Sequence, residues 1–279
     1  MRLARLVMVP VLVGAALVAC GGGGGDASSV PPITAANAGT TTTSSISSAR
    51  TGLSYTLDIW LPPGYAGDAR TYSVVYAMDC EYRFVTLVSV LQQAAAKGLA
   101  PMILVNVCAG TPARRFVDFT MPGATAYFGF LTLELIPLID ATYRTNPKSR
   151  VLSGHSLSGE FAMLALYMED PANRYFTSIV SADCSCWIDA NGNFATQLAV
   201  PVAMEQAMFA ASNGSLPINL VMAADTISGG ERNVMPLYEL IVSRRYRDLR
   251  SIQPAFSLGH VPMDGPAFSD AIDFIAAGS

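Results

Sequence analysis

The sequence predicts an α/β fold in which a mostly parallel central sheet carries helices on both faces. After residue 50, short apolar runs alternate with segments of helical spacing. Hydrophobic residues make up 51% of the 279 residues and charged residues only 14%, so the chain can bury a large core and is not disordered as a whole. Hairpin-like opening strands followed by repeated strand–helix units favour parallel pairing over most of the sheet.

The first residues have the pattern of an export signal and not of a folded domain. Two arginines precede the apolar run Leu6–Ala16, which is too short to span a bilayer comfortably. The run leads into Leu-Val-Ala-Cys20, which resembles a bacterial lipoprotein signal whose cysteine is lipidated. This predicts a signal peptide over residues 1–19 and a lipid anchor on Cys20; the alternative is an ordinary secretory signal. Gly21 after the cysteine favours, by the same resemblance, the outer membrane, facing the periplasm or the cell surface.

Residues 20–50 are rich in glycine, serine, threonine and alanine. A segment of this composition buries little apolar surface, so we interpret it as a flexible tether. The threonine–serine run from about Thr42 is also compatible with a first edge strand. The predicted catalytic domain is then residues 51–279.

The predicted strands are of two kinds. The first, Leu53–Leu61, alternates apolar and polar residues and ends at a Pro-Pro-Gly turn, so one of its faces is expected to be exposed. The later ones are short apolar runs typical of buried strands, and Pro254 predicts an edge position for the last. In chain order these are Tyr72–Met78, Met102–Val107, Arg150–Ser153, Ser178–Ser181, Ile218–Ala224 and Ile252–Ser257.

Helices are predicted between these strands. The first, Phe84–Lys97, stops at Gly98, a residue type common just after a helix. The long segment Thr125–Tyr143 contains Pro137, which is expected to bend it. The remaining predicted helices are Ser156–Met168, Ala195–Ala211, Val234–Tyr246 and Phe268–Ala277.

A candidate nucleophile lies in the turn between a predicted strand and helix, in the sequence Gly154-His-Ser156-Leu157-Ser158-Gly. A serine in such a tight turn is exposed above the sheet, and small flanking residues let the strand and the helix approach closely. The amide of Leu157 at the helix start would face a developing oxyanion. The alternative is a serine that only caps a helix.

A serine nucleophile needs a base, and the chain has only His155 and His260. His155 is the sequence neighbour of Ser156, so its side chain points elsewhere and a structural role is expected. His260 follows the last strand, at the sheet edge where ligands bind in open α/β folds, and is predicted to be the base. The acid should lie between the serine and the base in the chain. Asp225, directly after a strand, is favoured; Glu231 is the alternative and Asp183 is less suitable.

Composition excludes several other functions. The formal net charge is −4 and no basic run is present, which argues against a nucleic-acid partner. Two histidines cannot form a three-histidine metal site, and the cysteines lack CxxC spacing, so neither a metal nor a cofactor is expected.

The chain resembles the "putative esterase" family of α/β hydrolases, which includes siderophore esterases, feruloyl esterases, S-formylglutathione hydrolases and mycolyl transferases. The similarity covers about Leu53 to Phe274. It rests on the nucleophile turn and on four further segments, which are Asp58-Ile-Trp-Leu-Pro-Pro-Gly-Tyr65, Val74-Val-Tyr-Ala-Met-Asp79, Arg115-Phe-Val-Asp-Phe-Thr120 and Ser181–Trp187. The resemblance implies an α/β-hydrolase fold and a serine esterase with a Ser-His-Asp triad, an acyl-enzyme intermediate and a small-molecule ester substrate.

Carried onto this sequence, the resemblance implies Ser156 as nucleophile, His260 as base and Asp225 as acid. The oxyanion amides would be those of Leu157 and Cys80, and Asp79, Arg115 and Trp187 would lie near the substrate. Cys80 replaces the usual glycine, so a left-handed backbone there would be strained.

Alternatives remain open for some details. Arg114 and Arg115 could bind an anionic substrate, or Arg115 could pair with Asp118 to hold its loop. Cys80 and Cys108 end neighbouring strands and could form a disulfide in an oxidising compartment, with buried free thiols as the alternative. The same site could transfer an acyl group to another alcohol, or the chain could be a non-catalytic binding lipoprotein on a hydrolase scaffold.

Overall fold

The strands form one sheet, in the order β1-β2-β3-β5-β4-β6-β7-β8-β10, with β9 also pairing with β8. The computed structural model describes residues 38–186 and 199–278 and the backbone of Val7–Val9. The strands are β1 Val7–Val9, β2 Thr40–Ser47, β3 Ser54–Leu61, β4 Tyr72–Met78, β5 Met102–Val107, β6 Thr145–His155, β7 Ser178–Ala182, β8 Asn219–Asp225, β9 Arg250–Ile252 and β10 Ala255–Phe256.

The direction of pairing changes once across the sheet. Strands β1 to β3 pair antiparallel, and β3 also pairs antiparallel with β5. From β5 through β4, β6, β7 and β8 to β9 and β10 all pairs are parallel. The predicted hairpin followed by a parallel sheet is therefore confirmed.

Strand β2 lies inside the predicted tether. Its residues Thr40–Ser47 pair over their whole length with β3, and the carbonyl of Ala38 accepts hydrogen bonds from Trp60 Nε1 and Gln92 Nε2. The tether prediction is thus wrong over its last part. The Thr-Ser run is a strand, as its alternative interpretation has it, but it is not at the edge of the sheet, because β1 pairs with it on the side away from β3. Threonine and serine suit β2 because one of its faces remains largely in solvent.

Helices cover both faces of the sheet, as predicted. The helices are α1 Cys80–Ala96, α2 Pro112–Phe119, α3 Gly123–Phe130, α4 Ile136–Thr142, α5 Leu157–Met168, α6 Ala199–Ala211, α7 Glu231–Ser243 and α8 Asp264–Ala276. The alternation of side chains along β4 separates two cores: Val75 and Ala77 pack against α1 and α8, whereas Val74 and Tyr76 pack with α3 to α7. Each large apolar side chain buried in these cores stabilises the fold by about 1.5–3 kcal/mol.

Two prolines lie where the sequence predicts an irregularity. Pro137 directly follows a π-helical turn, Leu131–Leu135, which separates α3 from α4, and the bend predicted at this proline stays a prediction. The run Gly123–Thr142 is long and apolar enough to span a membrane by composition, but Phe130, Leu131 and Leu135 are fully buried in the core. The last predicted strand divides at Pro254 into β9 and β10.

Helix α2 is the main element absent from the prediction, which leaves this segment as a loop over the site. Thr111 caps its N-terminus by accepting a hydrogen bond from the Arg114 amide, and Pro112 is its first residue. Helix α1 also begins four residues earlier than predicted, at Cys80. Residues 195–198 of the predicted Ala195–Ala211 helix lie outside the described residues.

Candidate active site

The predicted nucleophile occupies a sharp turn between β6 and α5. Ser156 has φ 61° and ψ −123°, a backbone conformation that non-glycine residues rarely adopt. Its amide donates to the carbonyl of Ala182 on the neighbouring strand, at 3.0 Å. A Cβ on Gly154 would lie 1.9 Å from the carbonyl oxygen of Ser158, so only glycine fits there. The small residues of the motif are therefore required by the turn that exposes the serine.

Ser156 and His260 line the same cavity, of about 530 Å³, at the carboxyl edge of the parallel strands. The cavity is also bordered by Asp79, Tyr82 and Arg115. In this unliganded geometry Ser156 Oγ is hydrogen-bonded to Ser185 Oγ, at 3.2 Å. Hydrogen bonds between a nucleophile and its base often tighten only when substrate binds. The structure thus brings together the two residues predicted to transfer the proton.

His155 has a structural contact, as expected from its position beside the nucleophile. Its Nε2 lies 2.7 Å from the carbonyl oxygen of His260, and the two imidazole rings are 4.5 Å apart. Desolvation lowers the pKa of His155, so the ring is neutral at neutral pH and can donate to that carbonyl. His155 therefore supports the loop that carries His260.

The acid beside His260 differs from the prediction. Nδ1 of His260 contacts Oδ2 of Asp183, which follows β7, the strand next to the nucleophile strand. Asp183 is buried, and its other carboxylate oxygen accepts the amide of Asp225 at 3.0 Å. A Cβ on Gly230 would lie 1.7 Å from that oxygen, so Gly230 leaves the space that the carboxylate occupies.

Asp225, the favoured acid, binds backbone instead of the imidazole. It accepts hydrogen bonds from the amides of Ile227, Ser228 and Gly259 and from the Ser228 hydroxyl. Desolvation acts to raise the pKa of Asp225, but these hydrogen bonds outweigh it and lower the pKa to about 2. Its bond to Gly259 fixes the residue before His260.

Glu231, the alternative acid, is exposed at the start of α7. The expectation that Asp225 or Glu231 contacts the imidazole is therefore wrong for this structure, and Asp183 was available in the sequence as a carboxylate directly after a strand.

The two predicted oxyanion donors lie at equivalent places in their helices. Leu157 is the first residue of α5 and Cys80 the first of α1, so neither amide has an acceptor within its own helix. The strain expected at Cys80 is absent, because the left-handed conformation falls on Asp79 (φ 64°), the N-cap. The N-termini of both helices also favour negative charge.

Both arginines of the predicted substrate loop are engaged in ion pairs. Arg115 binds Asp79 through two hydrogen bonds, of 2.7 and 2.9 Å, while its side chain borders the cavity. Arg114, and not Arg115, pairs with Asp118, and it also donates to the hydroxyl of Tyr55. The alternative in which Arg115 pairs with Asp118 is therefore wrong, because Arg115 pairs with Asp79. An arginine does pair with Asp118 within this segment, but it is Arg114.

Four cysteines form two disulfides at this edge of the sheet. The Cys80–Cys108 bridge is present, which excludes the free-thiol alternative for that pair. Cys184 is bonded to Cys186, on either side of the Ser185 whose hydroxyl contacts Ser156. Each bridge thus adjoins a residue of the candidate site: Cys80 carries one of the two predicted oxyanion amides, and Cys184 follows Asp183. Trp187 and Cys20 lie outside the described residues.

A buried ion pair holds the loop after His260. Arg83 of α1 donates to both carboxylate oxygens of Asp264, at 2.8 and 2.9 Å, and to the carbonyl of Ser153. Desolvation acts to raise the pKa of Asp264, but the Arg83 charge and hydrogen bonds outweigh it, so the pKa lies below the ordinary 3.8. The pair connects α1, the nucleophile strand and the start of α8.

We expect Asp264→Asn to lower the free energy of unfolding at pH 7 by about 3–5 kcal/mol, because Arg83 would remain buried without a counter-charge. Since the pKa of Asp264 is lowered by folding, its contribution is full above pH 3.8 and is lost as the pH falls through the lower folded value. Urea unfolding at pH 7 and near pH 3 measures this, and the difference from wild type should shrink at the lower pH. Asp68→Asn, which removes the surface pair with Arg70, is the control and should change stability far less, because water and salt screen exposed ion pairs. Equal effects of the two variants at pH 7 would contradict the prediction.

Comparison with known proteins identifies a family for this chain. Residues 48–218 match the family described as "Putative esterase". Ferri-bacillibactin esterase BesA of Bacillus subtilis (strain 168) is 24% identical over 246 residues, covering 76% of this chain and 80% of BesA.

Two solved structures have a similar fold. An IroE-like serine hydrolase from Shewanella oneidensis has a TM-score of 0.72 at 20% identity, covering 85% of this chain and 80% of that one. The BES protein from Bacillus cereus has a TM-score of 0.71 at 20% identity, covering 91% and 99%. With the family match over more than half of its length, this chain belongs to the "Putative esterase" family and has the α/β-hydrolase fold.

Proposed function

We propose that the protein is a serine-dependent carboxylic ester hydrolase with Ser156 as nucleophile, His260 as general base and Asp183 as the acid that orients the imidazole. The observation that carries the proposal is a single cavity lined both by a strained serine and by the histidine that contacts a buried carboxylate. Membership in the esterase family supports the same reaction.

The proposed reaction has two steps. Ser156 Oγ attacks the ester carbonyl while His260 takes its proton, and the amides of Leu157 and Cys80 stabilise the oxyanion, at about 3 kcal/mol for each donor. His260 then protonates the leaving alcohol, and an acyl-enzyme remains on Ser156. In the second step His260 removes a proton from water as the water attacks the acyl carbon. His260 then returns that proton to Ser156 Oγ as the bond between Oγ and the acyl carbon breaks, and the acid is released.

Contact between Asp183 and Nδ1 supports the assigned roles. A carboxylate at Nδ1 places the acceptor nitrogen, Nε2, on the other side of the ring and stabilises the imidazolium that forms. Before attack, the Ser156 hydroxyl must leave Ser185 and turn toward Nε2. This exchange of one hydrogen bond for another keeps the hydroxyl partnered in both states.

Hydrolysis of a panel of esters tests the proposal. Several relatives are named as siderophore esterases or hydrolases, so the panel should contain iron-bound and iron-free siderophore esters beside feruloyl and short p-nitrophenyl esters. Turnover of at least one ester, with a burst of alcohol release equal to the enzyme concentration, is expected. A full panel without serine-dependent turnover would exclude the enzyme function. Added alcohols that compete with water would instead identify an acyltransferase.

We further propose that the domain is exported and attached to the membrane by a lipid on Cys20. Two disulfides support an oxidising compartment, because such bridges are rare in the cytosol. A mature chain with several acyl groups would bind membranes firmly, at about 0.8 kcal/mol for each buried methylene. In a bacterial host, Cys20→Ser should move the protein from the membrane to the soluble fraction and abolish labelling by radioactive palmitate. Unchanged labelling would contradict this proposal.

A further inference from the structure

Ser158 stands where the G-x-S-x-G pattern has its last glycine, and its hydroxyl is in an unusual position. The side chain is fully buried and lies 2.7 Å from Oδ2 of Asp79, 79 residues away in the chain. It also accepts the amide of His155 at 2.9 Å. The His155 carbonyl lies 2.9 Å from the hydroxyl as well, but a carboxylate is the stronger acceptor, so the single proton belongs to the bond with Asp79.

Asp79 is held from two sides. Arg115 donates to both of its carboxylate oxygens, and Ser158 donates to one of them. Asp79 has φ 64° and ψ 49°, a left-handed conformation that is unfavourable for a residue with a Cβ. The hydrogen bonds to its carboxylate offset that cost and keep the residue in one orientation.

The orientation of Asp79 determines that of the second oxyanion donor. The amide of Cys80 belongs to the peptide bond that joins Asp79 to Cys80, so rotation of Asp79 redirects this N–H. The first donor, the Leu157 amide, lies in the same turn as Ser158. One buried hydrogen bond therefore connects the turn that carries one donor with the turn that carries the other.

We propose that Ser158 is a positioning residue that sets the separation of the two oxyanion amides through Asp79. This rests on the proposed ester hydrolysis, since it assigns a role within that site. A glycine at residue 158 would provide no hydroxyl, so the hydrogen bond that connects the Ser158 turn to Asp79 would be absent. Displacements of about 1 Å at a catalytic site cost up to about 100-fold in rate, so a bond that fixes both donors has a measurable effect.

The test compares Ser158→Ala and Ser158→Gly with the wild-type chain on a p-nitrophenyl ester. We expect kcat to fall by about 10- to 100-fold with little change in KM, because the oxyanion exists only in the transition state. Inhibition by an alkyl boronic acid, which forms a tetrahedral adduct on the serine, should weaken by the same factor. Ser178→Ala is the control: it also removes a buried hydroxyl, one that accepts from Asn219 at the opposite edge of the sheet, and kcat should stay within twofold.

A double-variant comparison separates positioning from general destabilisation. If Ser158 acts through Asp79, then adding Ser158→Ala to Asp79→Ala, which removes the acceptor of the Ser158 hydroxyl, should lower kcat no further than Asp79→Ala alone. Loss of stability in Ser158→Ala with unchanged kcat and boronate affinity would overturn the proposal, and so would additive losses in the double variant. If the alanine variant does not fold, Ser158→Gly gives the same comparison. Failure of the proposed function is distinguishable, because it would appear as absence of turnover in the wild type.

Discussion

Replacing Ser156 with alanine is expected to lower kcat for ester hydrolysis by about 10⁴- to 10⁶-fold, the range seen when a serine nucleophile is removed. Ser185, whose hydroxyl contacts that of Ser156 in the part of the chain that the structure describes, is not placed to take over this role. Ser185 Oγ is close to Ser156 Oγ, but Ser185 lies in an irregular segment after β7, without the helix N-terminus that supplies an oxyanion amide. Residual activity should come only from binding and from the oxyanion amides acting on water.

A covalent label identifies the nucleophile independently of turnover. Incubation with diisopropyl fluorophosphate should add one phosphoryl group to the wild-type chain, on the peptide that contains Ser156, and none to Ser156→Ala. The free energy of unfolding of Ser156→Ala is the control for misfolding. This variant keeps the backbone strain at residue 156 and loses only the hydrogen bond to Ser185. Its free energy of unfolding should lie within about 1 kcal/mol of wild type. Labelling of a different residue, with activity retained in Ser156→Ala, would show that the reaction uses another nucleophile.

The sequence predicts most of this fold because its strands and longer helices have clear patterns of apolar residues. Buried strands such as Met102–Val107 are continuous apolar runs, and that predicted strand is observed without change. The missed helix α2 has only eight residues, and of these only Asp118 and Phe119 are buried, so its apolar pattern is too short to stand out in the sequence. The ion pair of Arg115 with Asp79, which lies outside the helix, also holds it in place. Helix boundaries depend on caps, which explains why the start of α1 differs from the prediction.

The candidate site is predictable where chemistry allows few choices. With two histidines in the chain, and one beside the nucleophile, the base follows from elimination, and both histidines lie in the expected region. The acid is harder, because Asp183 and Asp225 each follow a parallel strand at the same sheet edge. Which of the two carboxylates contacts the imidazole depends on the backbone angles φ and ψ in the turns after β7 and β8. The spacing of residues in the sequence does not determine these angles. The position of the left-handed residue near Cys80 is equally hard to predict from the sequence. Because helix α1 begins at Cys80, the left-handed residue is its N-cap, Asp79, and not Cys80 itself.

The second large effect is expected at Asp183. Asp183→Asn should lower kcat by about 10³- to 10⁴-fold at neutral pH, because an asparagine at Nδ1 favours the wrong tautomer and leaves the imidazolium unpaired. Substrate binding should change little, since Asp183 is buried behind the ring and does not border the cavity. The measurement is kcat and KM on the same ester as for Ser156→Ala, with circular dichroism to confirm folding.

Asp225→Asn is the matched comparison, because both aspartates are buried at the same edge and are joined by a hydrogen bond. Its carboxylate accepts four hydrogen bonds, and an asparagine amide would place an NH₂ group against some of those donors. The main effect should therefore be on stability. Folding lowers the pKa of Asp225 to about 2, so its stabilisation is complete above the ordinary value of 3.8 and disappears as the pH falls through about 2.

These two variants decide which carboxylate is the acid. With Asp183 in that role, Asp183→Asn loses far more kcat than stability, whereas Asp225→Asn loses stability first and kcat only through movement of Gly259, which precedes His260. A loss in Asp225→Asn as large as that of Asp183→Asn, in a variant that unfolds like wild type, would restore Asp225 as the acid. The carboxylate would then have to leave the amides of Ile227 and Ser228 during catalysis, exchanging backbone partners for the imidazole. Because four hydrogen bonds hold Asp225 in place and the imidazole already contacts Asp183, we expect the first outcome.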